Sequence, residues 1–84
     1  MENLTFYCTT SHGYLEVNKD FYNQNRKDFK ASKFSFQNSN CLYLEEDCDA
    51  PEFLNVLRNN GITFKIDEAY IDELKDIVKG LRRC

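Results

Sequence analysis

Five carboxylates lie between positions 45 and 52, where a predicted strand leads into a predicted helix. They are Glu45, Glu46, Asp47, Asp49 and Glu52. In one interpretation Asp49 and Glu52 cap the helix and the others face water. In a second, the five residues form an acidic patch that binds a basic protein. A third is a Mg²⁺ or Ca²⁺ site built from oxygen ligands, although the spacing matches no EF-hand loop.

A second polar cluster surrounds the only histidine of the chain. Residues 9–13 combine three hydroxyls, an imidazole and a flexible glycine, and a tyrosine follows them. Such groups can hydrogen-bond a phosphate or position a small molecule. They also make an ordinary turn, and no helix follows to present free N–H groups to a phosphate. The alternative ligand-binding residues are Thr10, Ser11, His12, Gly13 and Tyr14.

Four cysteines offer nucleophiles or metal ligands, namely Cys8, Cys41, Cys48 and Cys84. A catalytic thiolate needs a base such as His12 within hydrogen-bond reach. The carboxylates beside Cys48 raise the pKa of a thiol and oppose that chemistry. No cysteine pair has the short spacing of a zinc knuckle, and no Walker, GxGxxG, GxSxG or HExxH motif occurs. We therefore expect no catalytic residue, metal or other cofactor.

Length and charge restrict the class of protein. The 84 residues allow one domain, spanning 1–84, and the net charge of -3 disfavours binding to nucleic-acid phosphate. A partner with a basic surface is electrostatically easier to attract. Neither a secretory signal nor an apolar run long enough for a bilayer is visible. We expect a cytoplasmic protein with free thiols and no membrane contact.

Alternating side chains predict the strands. Leu4, Phe6 and Cys8 are spaced by two, the period of a strand that buries one face. The same period returns after the turn at 11–13, so a β-hairpin should open the domain. A second hairpin is predicted around the Asn38-Ser39-Asn40 turn. The predicted strands cover residues 4–8, 14–17, 34–36, 41–45 and 62–66.

Three helices follow from caps and from apolar spacing. Asn18 is expected to cap a short helix over 19–25, and Asp49 with Pro51 in the first turn should start a second, which ends near Asn60-Gly61. The tail 67–83 spaces its apolar residues by three and four, which predicts an amphipathic helix. The order ββαββαβα indicates an α+β fold, with an antiparallel or mixed sheet of about five strands and two to three helices on one face. The apolar side of the last helix is a candidate homodimer contact.

Three segments carry a family resemblance. They are Thr10-Ser11-His12-Gly13-Tyr14-Leu15-Glu16-Val17, the run Tyr43-Leu44-Glu45-Glu46-Asp47-Cys48-Asp49-Ala50-Pro51-Glu52-Phe53-Leu54, and Asn60-Gly61-Ile62. The chain thereby resembles a group of small uncharacterised accessory proteins of bacterial phages and conjugative elements that share H-G-Y-L and Y-L-E-E-D-x-D-A-P-x-F-L segments. The resemblance covers most of residues 4–70. It implies a cytosolic factor that binds or inhibits host machinery, including host defences, and it assigns no catalytic residue.

The leading hypothesis is a non-enzymatic accessory protein that binds and modulates, most simply inhibits, a host or element-encoded protein. Its acidic segment would attract the basic surface of that partner. Two alternatives stay open. One is a protein that binds or sequesters a small molecule or nucleotide at residues 9–13, and the other is a small hydrolase or thiol enzyme that uses His12 with Cys48 or a carboxylate.

Overall fold

Six strands and two α-helices follow one another in a computed structural model that describes all 84 residues. The strands are β1 (Glu2–Cys8), β2 (Gly13–Asn18), β3 (Phe36–Gln37), β4 (Cys41–Glu45), β5 (Phe64–Tyr70) and β6 (Arg82–Arg83). The helices are α1 (Lys19–Asn25) and α2 (Asp49–Asn59), with a 3₁₀ turn at Leu74–Asp76. The predicted α+β class is confirmed. None of the helices has the length and apolarity needed to cross a membrane.

All strands join one mixed sheet in the order β5-β1-β2-β4-β3-β6. The strands β1 and β2 form the predicted hairpin, and β4 pairs antiparallel with β2. The strand β5 runs parallel to β1, as a crossover through α2 allows, and it forms one edge of the sheet. Because Tyr14 pairs with Glu45, the turn that carries His12 and the acidic segment meet at the same end of the sheet.

The main core lies between the sheet and the two helices. Leu15 and Val17 of β2 and Leu44 of β4 point into it and are fully buried. Phe53 and Leu57 lie one turn apart on α2 and close the core from the other side. Full burial of such a side chain is worth about 1.5–3 kcal/mol. The packing of Phe53 and Leu57 against the sheet therefore holds α2 in place.

The two helices begin in different ways. Asn18 caps α1 as predicted, because its Oδ1 accepts hydrogen bonds from two backbone N–H groups of the first turn. The predicted cap of α2 is wrong. Cys48 holds the N-cap position without a side-chain bond, and the Asp49 carboxylate binds a different segment. Glu45, the last residue of β4, instead accepts from the backbone N–H groups of residues 47 and 48.

The predicted helix over 67–83 is wrong. The strand β5 extends through the start of this segment because it pairs with β1 along all seven residues, and only a 3₁₀ turn and the short β6 follow. Four of the apolar side chains that suggested a helix instead pack on the second face of the sheet, where Leu74 and Val78 cluster with Tyr14 and Tyr43 and are joined by Ile71 and Leu81. The sheet thus has six strands, and the helix face proposed for a homodimer does not form.

Candidate functional site

Internal hydrogen bonds hold the turn between β1 and β2. The Thr9 hydroxyl accepts from the N–H groups of Ser11 (3.4 Å) and His12 (3.0 Å) and donates to the His12 carbonyl (2.5 Å). Both the N–H and the hydroxyl of Thr10 donate to the Asp72 carbonyl. These donors are satisfied within the protein, which leaves few of them for a nucleotide phosphate. The turn presents the His12 imidazole to solvent, with its side chain 56% exposed.

Glu45 lies beside His12 at the end of β4, and its side chain is only 9% exposed. Its Oε2 accepts two backbone hydrogen bonds at 3.0 Å each. Its Oε1 accepts none and lies 4.0 Å from His12 Nδ1. The N–H of Glu46 donates to the Gly13 carbonyl at 3.0 Å, which ties the acidic segment to the histidine turn. Ligand atoms of His12, Glu45 and Glu46 consequently lie within 4.8 Å of one another.

A pocket of about 340 Å³ opens beside this contact. It is lined by His12, Tyr14, Phe34, Phe36, Glu45, Asp47, Cys48 and Arg83. The Arg83 guanidinium lies 4.8 Å from the centre of the Phe36 ring and donates to the Lys33 carbonyl. Burial raises the pKa of the Tyr14 phenol and the nearby Glu45 raises it further, so Tyr14 remains a neutral donor. The fold thus brings residues of the turn at 9–13 and of the acidic segment at 45–52 into one pocket.

Cys48 lines the same pocket as His12 and Glu45, the residue types of a thiol enzyme. The negative charges around Cys48 oppose its use as a nucleophile. Partial desolvation raises the pKa of the Cys48 thiol, and the Glu45, Asp49 and Asp47 carboxylates raise it further. A thiol of raised pKa is mostly protonated at neutral pH and is a weak nucleophile. The arrangement therefore favours binding over covalent catalysis.

We expect Cys48 to react with iodoacetamide at pH 7 more slowly than the cysteine of a short unstructured peptide. The raised pKa lowers its thiolate fraction, so the rate should increase as the pH is raised. Peptide mapping by mass spectrometry gives the rate for this one cysteine. Asp47→Asn removes a neighbouring negative charge and should accelerate the reaction, whereas the distant Asp20→Asn should not. A rate above that of the free peptide would support the thiol-enzyme hypothesis.

Asp49 is buried under the loop that precedes β3 and is 5% exposed. Its Oδ2 accepts from the backbone N–H and the hydroxyl of Ser32, both at 2.8 Å, and from the hydroxyl of Ser35. Ser35 Oγ in turn accepts from the Glu45 N–H at 2.9 Å. Asp49 therefore joins the loop, α2 and β4. Neither serine was predicted from sequence, because no local pattern marks Ser32 or Ser35 as a partner of a carboxylate.

A groove of about 520 Å³ lies between α2 and the edge strand β5. It is lined by Phe6, Leu15, Glu46, Ala50, Pro51, Leu54, Asn55, Arg58, Ile66 and Glu68. Half of its lining is apolar, and Ile66 is 37% exposed there. The groove was not foreseen, because it exists only where the distant strand β5 pairs with β1.

Two carboxylates of this groove, Glu46 and Glu68, form no ion pair. Arg58 is the one cation in the lining and is engaged elsewhere. It donates to Asn55 Oδ1 at 3.0 Å, and its guanidinium lies 5.2 Å from the centre of the Phe64 ring. Phe64 and Glu68 are four residues apart on β5, which is roughly 13 Å along a strand. Arg58 therefore lies away from Glu68, and neither Glu46 nor Glu68 is neutralised by an ion pair.

The chain matches no protein-family model, no curated protein and no solved structure.

The structure divides the five predicted partner-binding carboxylates into buried and accessible members. Glu45 and Asp49 are buried, Glu46 is half-buried, and Asp47 and Glu52 are exposed. Among the predicted ligand residues, Thr10, Ser11 and His12 are exposed, whereas Gly13 and Tyr14 are buried. Glu46 is thus the one predicted partner-binding residue that lies both beside the His12 turn and in the groove between α2 and β5.

Proposed function

We propose that this protein is a non-enzymatic binding module that holds a basic, extended segment of a partner protein in the groove between α2 and β5. Binding there would block the segment and so inhibit the partner. The observation that supports this proposal most directly is that two carboxylates without an ion pair, Glu46 and Glu68, line the groove together with apolar side chains. The resemblance to phage and mobile-element accessory proteins suggests a host or element-encoded partner.

The free edge of β5 supports an extended conformation for the bound segment. An edge strand leaves every second set of backbone N–H and C=O groups without a neighbour, and an extended peptide can pair with them. The seven residues of β5 are mostly exposed, and Tyr70 at the end of the strand is 79% exposed. Side chains of an added strand would alternate, so every second one would lie on the face that carries the groove.

Charge supports a basic segment over an acidic one. A lysine or arginine side chain entering the groove would cover apolar side chains such as Leu54 and Ile66 with its methylene groups and place its charge near Glu46 or Glu68. The net charge of -3 would also favour encounter with a basic partner. Exposed charge pairs are screened by salt, so binding should weaken as ionic strength rises.

The test uses a seven-residue peptide of alternating valine and lysine, with a peptide of alternating valine and glutamate as its control. We expect the basic peptide to shift backbone NMR signals of β5 and α2, and the acidic peptide to leave them unchanged. Glu46→Gln combined with Glu68→Gln should weaken binding about tenfold, as expected for the loss of two partly exposed charge pairs.

The matched control is Asp47→Asn combined with Glu52→Gln. It removes the same charge from exposed positions of the same segment that do not line the groove. We expect this variant to retain the affinity of the unmodified protein. Equal losses for both double variants would indicate non-specific attraction and reject the groove. Shifts confined to residues away from β5 and α2 would reject it as well.

A further inference from the structure

We infer that His12, Glu45 and Glu46 bind a divalent transition-metal ion, with Zn²⁺ as the best-matched species. The nearest ligand atoms of the three residues lie within 4.8 Å of one another. One imidazole nitrogen and two carboxylate oxygens form a donor set that zinc accepts readily. Mg²⁺ and Ca²⁺ prefer ligand sets made of oxygen alone, so the imidazole selects against them. The metal proposal does not rest on the proposed function, although Glu46 belongs to both the metal site and the groove.

Glu45 is the residue that points most clearly to a cation. Its side chain is more than nine-tenths buried, and its Oε2 is fixed by two backbone hydrogen bonds. The other oxygen, Oε1, accepts no hydrogen bond and faces His12 Nδ1 at 4.0 Å. That separation is too long for a hydrogen bond. Two ligands that share one zinc ion lie about 3 to 4 Å apart, so the gap fits an ion between them.

Gly13 allows the third ligand to approach. A side chain at this position would place its Cβ 2.8 Å from Glu46 Oε2, so the absence of one leaves the space in which the Glu46 carboxylate lies. The hydrogen bond from the Glu46 N–H to the Gly13 carbonyl fixes the backbone of both residues. The turn that carries His12 and the segment that carries Glu45 and Glu46 are therefore held next to each other. Small rotations of the accessible His12 and Glu46 side chains complete the coordination.

Three protein ligands leave at least one position of a four-coordinate ion free for water or another small donor. Asp47 and Asp49 flank the ligands and add negative charge that attracts a cation. Bound zinc would also link the turn at residues 9–12 to the start of α2. Binding of the ion to the folded state alone should therefore raise the thermal stability of the protein.

The test is titration of protein stripped with EDTA and desalted, first with ZnCl₂ by calorimetry and then with CoCl₂ by visible absorption. We expect one ion per chain, a higher melting temperature, and no competition from excess MgCl₂. His12→Ala and Glu46→Gln should each weaken Zn²⁺ binding by more than about tenfold, because each removes one ligand. The visible bands of bound Co²⁺ should change in both variants.

Asp47→Asn is the matched control, since it removes one negative charge from the same turn but no proposed ligand. It should keep nearly all of the Zn²⁺ affinity. Equal weakening by Asp47→Asn and Glu46→Gln would indicate attraction by charge alone and overturn the site. A failure of the unmodified protein to bind Zn²⁺ would leave only a contact between His12 and Glu45 and would overturn it too.

The metal site and the peptide groove can fail separately. Glu68→Gln should weaken peptide binding and leave Zn²⁺ binding unchanged, because Glu68 lines the groove and is not a proposed ligand. His12→Ala should do the opposite, because His12 lies outside the groove. If Glu68→Gln does not weaken peptide binding, the groove proposal is wrong, and if His12→Ala does not weaken Zn²⁺ binding, the metal proposal is wrong.

Discussion

Asp49→Ala is expected to lower the free energy of unfolding by about 3 kcal/mol. The carboxylate is 5% exposed and satisfies three donors, the N–H and hydroxyl of Ser32 and the hydroxyl of Ser35. Alanine would leave the buried Ser35 hydroxyl and the half-buried Ser32 donors without this acceptor and would detach the loop from α2. A domain of this size has a stability of only about 4 to 12 kcal/mol, so the loss is a large part of the total. Urea denaturation followed by circular dichroism measures it.

Asp47→Ala is the matched control, because Asp47 is an exposed carboxylate on the same turn. Its change in stability should stay within about 0.5 kcal/mol. If Asp49→Ala fails to fold, Ser35→Ala tests the same network, since it removes one donor to Asp49 and the acceptor of the Glu45 N–H. Equal stabilities for the Asp47 and Asp49 variants would show that the buried network contributes nothing.

Gly13→Ala is expected to destabilise the protein by about 2 kcal/mol through steric overlap. The added Cβ would lie 2.3 Å from Cζ of Phe6 and 2.8 Å from Glu46 Oε2. Gly13 is in β2 and has no positive φ angle, so the loss does not arise from backbone strain. Phe6 lines the groove and Glu46 lies at both proposed sites, so their displacement should also weaken binding of the basic peptide and of Zn²⁺.

A double-mutant cycle with Phe6→Leu tests the origin of that effect. Leucine removes the ring atoms that the new Cβ would meet, so Gly13→Ala should be less harmful in the Phe6→Leu background. Both single variants and the double variant are compared by urea denaturation. Strict additivity of the two changes would show that the overlap with the Phe6 ring is not the cause. Ser11→Ala, at an exposed position of the same turn, serves as the neutral comparison.

The elements that could be predicted from sequence are those fixed by nearby residues. The hairpin of β1 and β2 follows from alternation around a turn, and α1 follows from the Asn18 cap. The end of α2 follows from Gly61, whose φ of 74° is a conformation that glycine adopts without strain. In each case the residues that predict the element lie within a few positions of the element itself.

The C-terminal error has a non-local cause. Apolar spacings of three and four in residues 70–81 fit a helix as judged locally, but pairing of β5 with β1 joins residues about sixty positions apart. That pairing gives hydrogen-bond partners to the backbone of β5 over its seven residues. It also places Leu74 and Val78 where they pack against Tyr14 and Tyr43. Tertiary pairing and burial thus outweighed a weak helical preference.

By itself the sequence determined the α+β class, the hairpin, the two α-helices and the two polar segments around His12 and Glu46. Only the tertiary structure decided that these segments meet, that Glu45 and Asp49 are buried, and that Glu68 borders a groove. The reason is physical. Local periodicity and capping act between neighbouring residues, whereas the burial of a carboxylate depends on donors that the fold brings from far along the chain, as Ser32 and Ser35 are brought to Asp49.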